Sequence, residues 1–217
     1  MAYGETMAKL SPCSDGLICE KISEFCPRAG SVLDIGCGRG ERLAAIEKAF
    51  PDWLLAGVDR DRDMVEMARG NTNADIRLAS AEDMPFASGS FGLALCECSL
   101  SLFHEPEKSL GEMHRVLAPG GVLLLAELFT KLDCCESSGG ESGTIGRVYH
   151  KSRIEQMLHN AGFSLLHYED LSGDLLSMAA QMIMDGSCAG CLGAEDFALL
   201  RRVKAGYGLW IFKKEDF

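Results

Sequence analysis

Val32-Leu33-Asp34-Ile35-Gly36-Cys37-Gly38-Arg39-Gly40 is the stretch on which the fold turns. An apolar run reaches an acid, three glycines alternate, and a helical pattern opens directly behind them. A strand that ends in a glycine turn and feeds a helix is how α/β folds bring backbone close to a nucleotide-like ligand. The following helix carries Leu43, Ile46 and Phe50 on one face and stops near Pro51. A second apolar run, Trp53–Val58, then ends in Asp59, nineteen positions after Gly40. That completes one β-α-β unit.

The alternation continues on both sides of this unit. Upstream, Ser14 or Asp15 caps a helix running to about Cys26, with Ile18, Ile22 and Phe25 on one face. Downstream, a helix over Arg60–Arg69 leads to a strand at Ile76–Ala79, and Phe91–Glu97 reads as a fourth strand. A helix near Glu107–Leu117 precedes Pro119-Gly120-Gly121 and a fifth, very apolar strand at Val122–Leu128. Between Asp133 and Gly146 the composition shifts to Gly, Ser, Cys and Glu, which reads as a loop. Helices at Lys151–Asn160, Leu175–Met184 and Glu195–Val203 follow, with strands at Phe163–Tyr168 and Tyr207–Phe212. Alternating β and α elements predict a mostly parallel sheet with helices on both faces. The 217 residues are expected to form one domain. Within it, 1–29 would be a helical cap, 30–130 a cofactor-binding core, and 131–217 the second half of the sheet.

Nearly half the residues are apolar and about a quarter charged, the balance of a soluble globular protein. No apolar run approaches the ~20 residues that span a bilayer, and the start carries no signal-peptide core, so a cytoplasmic location is expected. A net charge of −11 argues against a nucleic-acid partner, which calls for a basic face. A small-molecule substrate is expected, and a protein partner stays open. Ten cysteines without a secretory context are read as reduced thiols. The pairs Cys134-Cys135 and Cys188-Ala189-Gly190-Cys191 stand apart from packing roles. A metal or soft-substrate role for them is a speculative reading, and no metal is assigned.

The glycine spacing selects among ligands. A dinucleotide fingerprint runs G-x-G-x-x-G, with the pyrophosphate at the helix start. Here the third glycine, Gly40, comes one residue early and Glu41 follows it, where a carboxylate would repel a phosphate. Asp34 ahead of the turn suits a cationic group. S-adenosylmethionine meets these demands: it has no phosphate and carries a sulfonium and an ammonium. Asp34 would hold the ammonium, the Gly36–Gly40 backbone would pass the adenosyl group, and Asp59 would accept from both ribose hydroxyls.

Four segments in this order and spacing resemble the class I S-adenosylmethionine-dependent methyltransferases. They are Asp34–Gly40, Asp59, Ala81-Glu82-Asp83-Met84-Pro85-Phe86 with Ser90-Phe91, and Glu112–Gly121. Within that class the chain is most similar to the small-molecule branch that includes the ubiquinone and menaquinone biosynthesis methyltransferases. The resemblance spans about residues 30–130. It implies a Rossmann-like seven-stranded sheet whose last two strands form an antiparallel hairpin. It also implies a cofactor site made by Asp34, Gly36, Cys37, Gly38, Gly40, Asp59, Arg60, Ser80, Ala81, Glu82 and Glu97. Where the family usually has an aspartate before the alanine, this chain has Ser80, a neutral and shorter acceptor for the adenine amino group.

Methyl transfer from a sulfonium is an in-line displacement, so alignment supplies much of the rate. The resemblance places Glu97, Cys98, Ser99, Phe103 and His104 near the methyl group. His104 is the candidate base and Cys98 a candidate lining residue of the substrate cavity. The expected function is methyl transfer to a small-molecule acceptor. Two alternatives stand beside it: a cofactor-binding accessory protein without catalysis, or a thiol or metalloid methyltransferase using the cysteine pairs. A nicotinamide dehydrogenase ranks behind all of these.

Overall fold

A computed structural model describes residues 11–132, 137–138, 145–184 and 194–215. The β-α-β unit forms where the sequence places it. Strand β1 (Ser31–Ile35) leads through the glycine turn into helix α2 (Glu41–Ala49) and strand β2 (Leu54–Asp59). Helix α1 (Asp15–Phe25) precedes it and is capped by Ser14, whose Oγ accepts from the Leu17 N–H at 3.1 Å. Then come α3 (Arg62–Asn71), β3 (Asp75–Leu78) and β4 (Phe91–Glu97). Asp61 caps α3 by accepting from the N–H groups of Asp63 and Met64. A single 3-10 turn at Leu100–Leu102 and α4 (Pro106–Val116) lead to β5 (Leu117–Thr130). The second half holds β6 (Ser137–Ser138), β7 (Arg147–His150), α5 (Lys151–Asn160), β8 (Phe163–Asp170), α6 (Ser172–Met184), α7 (Ala194–Arg202) and β9 (Ala205–Lys214).

Strands β1 to β5 pair in parallel in the order β3-β2-β1-β4-β5. Beyond β5 lies β9, antiparallel to it from Val122 to Thr130, and β8 pairs antiparallel with β9. This is the expected seven-stranded arrangement, with one difference. The last two strands are joined through α6 and α7 and not by a tight turn. Two short strands add to it: β7 runs parallel to the end of β5 at Phe129 and Thr130, and β6 pairs with β7.

The two faces of the sheet follow the period of the strands. Leu33, Ile35, Ala94, Cys96, Leu123, Leu125, Trp210 and Phe212 pack on α4 and α5 through Leu110, Met113, Ile154 and Leu158. The residues between them, Val32, Leu93, Leu95, Leu124, Ala126, Leu209 and Ile211, pack on α1, α2 and α6 through Ile18, Ile22, Ile46 and Leu175. Burial on both faces is why these strands read as unbroken apolar runs. It also leaves the carboxyl ends of the parallel strands as the place where polar groups can gather.

β5 is longer than the Val122–Leu128 strand that the sequence suggests. Ala118-Pro119-Gly120-Gly121 reads as punctuation, but the chain stays extended through it, with an irregularity opposite Phe91 and Leu93. Strand β7 lies directly after the segment read as a loop, in residues that the sequence reading gives no element. Its four residues are too short to show a period.

Candidate active site

The strand order reverses between β1 and β4, and such a switch point opens a crevice at the carboxyl ends of the strands. Here β1, β2, β4 and β5 each deliver a polar residue to that crevice: Gly36, Asp59, Glu97 with Cys98, and Glu127. They line a cavity of about 520 Å³ whose far wall is apolar. A side recess of about 80 Å³ opens from it, sharing Gly36, Asp59 and Ser99 and extending to Ser80, Ala81, Glu82 and Phe103.

The glycine turn is shaped by backbone bonds. Gly36 N–H and Cys37 N–H both donate to the Val58 carbonyl, at 2.8 and 3.0 Å, tying the turn to β2. Asp59 then locks it from the side. Its Oδ2 accepts from the Gly38 N–H at 2.8 Å and its Oδ1 from the Asp61 N–H at 2.9 Å. Each carboxylate oxygen keeps one further lone pair for a ligand. Gly40 has a different task. It starts α2 at φ +75°, and a Cβ there would meet the Cβ of Ala68 at 3.1 Å on α3. The early third glycine thus lets two helices approach, and neither Gly40 nor Cys37 lines the cavity. Cys37 is buried in a small cluster with Leu43, Val65, Ala68 and Ile76.

Asp34 is buried one residue before the end of β1 and does not line the cavity. Its charge is felt by Arg42, which the sequence reading passed over as an ordinary helix residue. Arg42 is 5% exposed and anchors the floor of the site. Its Nε and Nη2 form a fork onto Glu97 Oε2 and Oε1 at 2.8 and 2.7 Å. Nη1 donates to Asp15 Oδ1 at 2.6 Å, and Nη2 also to the Cys13 carbonyl at 2.9 Å. Burial works against the Arg42 charge, but the bonds and charge of Glu97, then of Asp15 and Asp34, outweigh it and raise its pKa. Ser11 Oγ also donates to Glu97. Glu97 therefore reaches the cavity as a carboxylate already held by a guanidinium.

Above it, Cys98 has φ +52°, a left-handed conformation that costs a non-glycine residue strain. Its Sγ lies 3.1 Å from the Tyr207 hydroxyl of β9, and that hydroxyl lies 3.2 Å from Ser11 Oγ. Burial, then the charges of Glu127 and Glu97, hold the Cys98 thiol well above its usual pKa. Burial and the neighbouring Cys98 and Glu97 do the same for the Tyr207 phenol. Both face the cavity as neutral groups, so Cys98 is a thiol and not a thiolate nucleophile.

In the side recess, Ser80 Oγ donates to Glu82. The other oxygen of Glu82 accepts from the His104 and Glu105 N–H groups at 2.9 and 3.1 Å. Burial pushes the Glu82 carboxyl up, but these donors bring it below its usual value. Ser80 Oγ also accepts from the Glu82 N–H at 3.4 Å and keeps one acceptor lone pair for a ligand. Arg60 lines both spaces at their shared edge. The side chain of His104 is exposed and lines neither space, although its backbone is held by Glu82. Cys134, Cys135, Cys188 and Cys191 lie outside the described residues. Among the described residues, no group of three or more His, Cys, Asp and Glu side chains is placed to hold a metal ion. Nor is any described helix long and apolar enough to cross a membrane.

Two residues that the sequence reading did not single out complete the site, Glu127 and Tyr207. Glu127 is 1% exposed, and its Oε2 and Oε1 accept from the Ser101 and Leu128 N–H groups at 3.1 and 2.9 Å. Burial pushes its carboxyl up to about 7. A lone acid inside the apolar run Val122–Thr130 was the available signal.

The solved structures that superpose on this fold include methyltransferases. Residues 33–125 match the family model described as a methyltransferase domain. It is 28% identical over 163 residues to an O-methyltransferase of Aspergillus nomiae, a match covering 70% of this chain and 71% of that protein. It is 32% identical over 98 residues to a ubiquinone/menaquinone biosynthesis C-methyltransferase of Desulfotalea psychrophila, covering 44% and 40%. Geranyl diphosphate C-methyltransferase from Streptomyces coelicolor, solved with S-adenosyl-L-homocysteine, superposes with a TM-score of 0.74. That match covers 92% of this chain and 77% of the other at 13% identity, a likeness of fold. The chain spans about 40% of the length of several curated relatives that it matches.

Proposed function

We propose that this chain binds S-adenosylmethionine in the crevice and transfers its methyl group to a small-molecule acceptor. The observation that carries the reading is the charge of the lining. Asp59, Asp61 and Glu97 face the main cavity around the glycine turn, with Arg60 as the one cationic side chain among the described lining residues. Such a rim attracts a sulfonium and an ammonium and repels a pyrophosphate. When bound, the cofactor supplies an activated methyl group on a neutral leaving sulfur. Asp59 is suited to hold the ribose hydroxyls, since its carboxylate is fixed beside the turn by Gly38 and Asp61. Ser80 and the recess around Ala81 suit the adenine edge. Arg42 holds Glu97 in place at the floor.

Calorimetric titration with S-adenosylhomocysteine tests the reading. The wild-type chain should bind it, and Asp59→Asn should weaken binding by about tenfold, equivalent to about 1.4 kcal/mol. Absence of binding to the wild-type chain would sink the proposal. Binding without methyl transfer to any small molecule would favour the accessory role instead.

A further inference from the structure

Glu127 stands on the side of the cavity away from the adenine recess. It lines the main cavity but not the recess, and its neighbours there differ from those around Asp59. Leu102, Leu128, Ile145, Leu175, Met178 and Leu200 make an apolar wall drawn from β5, the segment before β7, α6, α7 and the 3-10 turn. Against that wall stand Glu127 with Ser101 beside it, the Cys98 thiol and the Tyr207 hydroxyl. A charged acceptor would find no described cation to pair with beyond Arg60 at the far edge, and an ammonium would need desolvation against leucines. An uncharged molecule with one protic group fits this lining.

Resting on the methyltransferase reading above, we propose that Glu127 accepts the proton of the acceptor's hydroxyl, and that the acceptor is an uncharged, largely apolar molecule. Among the described residues, only Glu127 combines a proton-accepting carboxylate with that position. Glu97 is committed to Arg42, while Cys98 and Tyr207 are neutral donors. In the step, the hydroxyl oxygen forms a bond to the methyl carbon as the carbon–sulfur bond breaks. The electron pair of that bond returns to sulfur, and the hydroxyl proton passes to a Glu127 oxygen. No oxidant, reductant or third reactant is needed.

The surroundings suit the exchange of a proton. The charge of Glu127 reaches Cys96 and Cys98 of β4, and Glu97 lines the same cavity. Tyr207 of β9 lines the same cavity, and Ser101 and Leu128 give Glu127 their N–H groups. Burial dominates these influences and brings the Glu127 carboxyl to about 7, so it can take and return a proton near neutrality. The Ser101 and Leu128 N–H groups fix the two oxygens, and the Ser101 hydroxyl and the Leu100 backbone also bond the carboxylate.

The test uses the wild-type chain, Glu127→Gln and Glu127→Asp with S-adenosylmethionine carrying a labelled methyl group. The acceptors are 4-propylphenol and 2-naphthol, with hexylamine and hexanoate as charged comparisons. The wild-type chain should methylate the phenols and not the charged compounds, with kcat/KM falling as pH drops below about 7. Glu127→Gln should lose about 100-fold or more in kcat and lose that pH limb, while Glu127→Asp recovers part of both. All three should bind S-adenosylhomocysteine equally well, which also checks that they are folded. Failure of the wild-type chain to bind it would bring down the methyltransferase reading and this proposal together. If binding is retained, transfer only to the charged compounds or to none overturns the proposal alone. So does a Glu127→Gln chain that keeps the wild-type rate and pH profile.

Discussion

Arg42 shows how much a single residue can decide at this site. It is nearly buried, forked onto Glu97, and bonded to Asp15 and the Cys13 carbonyl. Removing one member of a buried ion pair strands the other charge, which typically costs 3–5 kcal/mol. Arg42→Met should therefore lower stability by about 3 kcal/mol, since Glu97 retains some solvent contact. Urea denaturation measures this. Arg42→Met combined with Glu97→Gln should recover more than half of the loss, because no charge is left unpaired. Equal losses in the single and double variants would show that packing, and not charge, holds the floor.

At the scale of elements, the approach of the segment before β7 to the 3-10 turn sets the acceptor side of the cavity. A Cβ on Gly146 would lie 2.2 Å from the Ser101 carbonyl oxygen, backbone against backbone, where neither side can swing away. Gly146→Ala should destabilise the chain by about 1–3 kcal/mol. It should also displace the Ser101 N–H that holds Glu127, lowering kcat while leaving affinity for S-adenosylhomocysteine within about twofold. Thermal unfolding and calorimetry read the two effects separately.

The elements also show what a sequence reveals. The bounds of β1, β4 and α5 were legible to the residue because burial on both faces, or one clear amphipathic stripe, leaves an unambiguous pattern. The turn Gly36–Gly40 and Asp59 were legible by spacing. Arg42 and Glu127 were not, because nothing local tells a polar residue on a helix or in a strand that its partner lies more than fifty residues away on β4, or that a cavity closes over it. Strand β7 has no local signature because only its pairing with the end of β5 makes it a strand. The side-chain environment of His104 was equally hidden, since exposure is a tertiary property.

At the scale of the molecule, two kinds of carboxylate act on stability with opposite signs. Glu112 and Asp170 have lowered pKa values. For Glu112 the Arg115 bond is the main cause, and for Asp170 the Ser172 and Lys131 partners outweigh burial. The stability they contribute is present above their unfolded values and is lost as pH falls through the folded ones. Glu127 is raised from 4.5 to about 7 by burial. Its contribution is complete below about pH 4.5 and is lost as pH rises through about 7, an effect of about 3 kcal/mol. The stability of the wild-type chain relative to Glu127→Gln should therefore decline over that window and stay level above it. Denaturation curves at a series of pH values check this, and a parallel pair of curves would count against a protonatable Glu127 in the folded chain.

The place of β5 between β4 and β9 has a practical consequence for anyone cutting the chain. Residues 33–125 match the family model, which invites treating them as a module to be excised or grafted. A cut at 125 would remove β9, which covers the flank of β5 from Val122 to Thr130. The strand would then end in the middle of its apolar run, with a row of bare N–H and C=O groups ready to template another chain's strand. Such a fragment should aggregate, and a chimera joined at that point would need a donor segment that brings its own flanking strand.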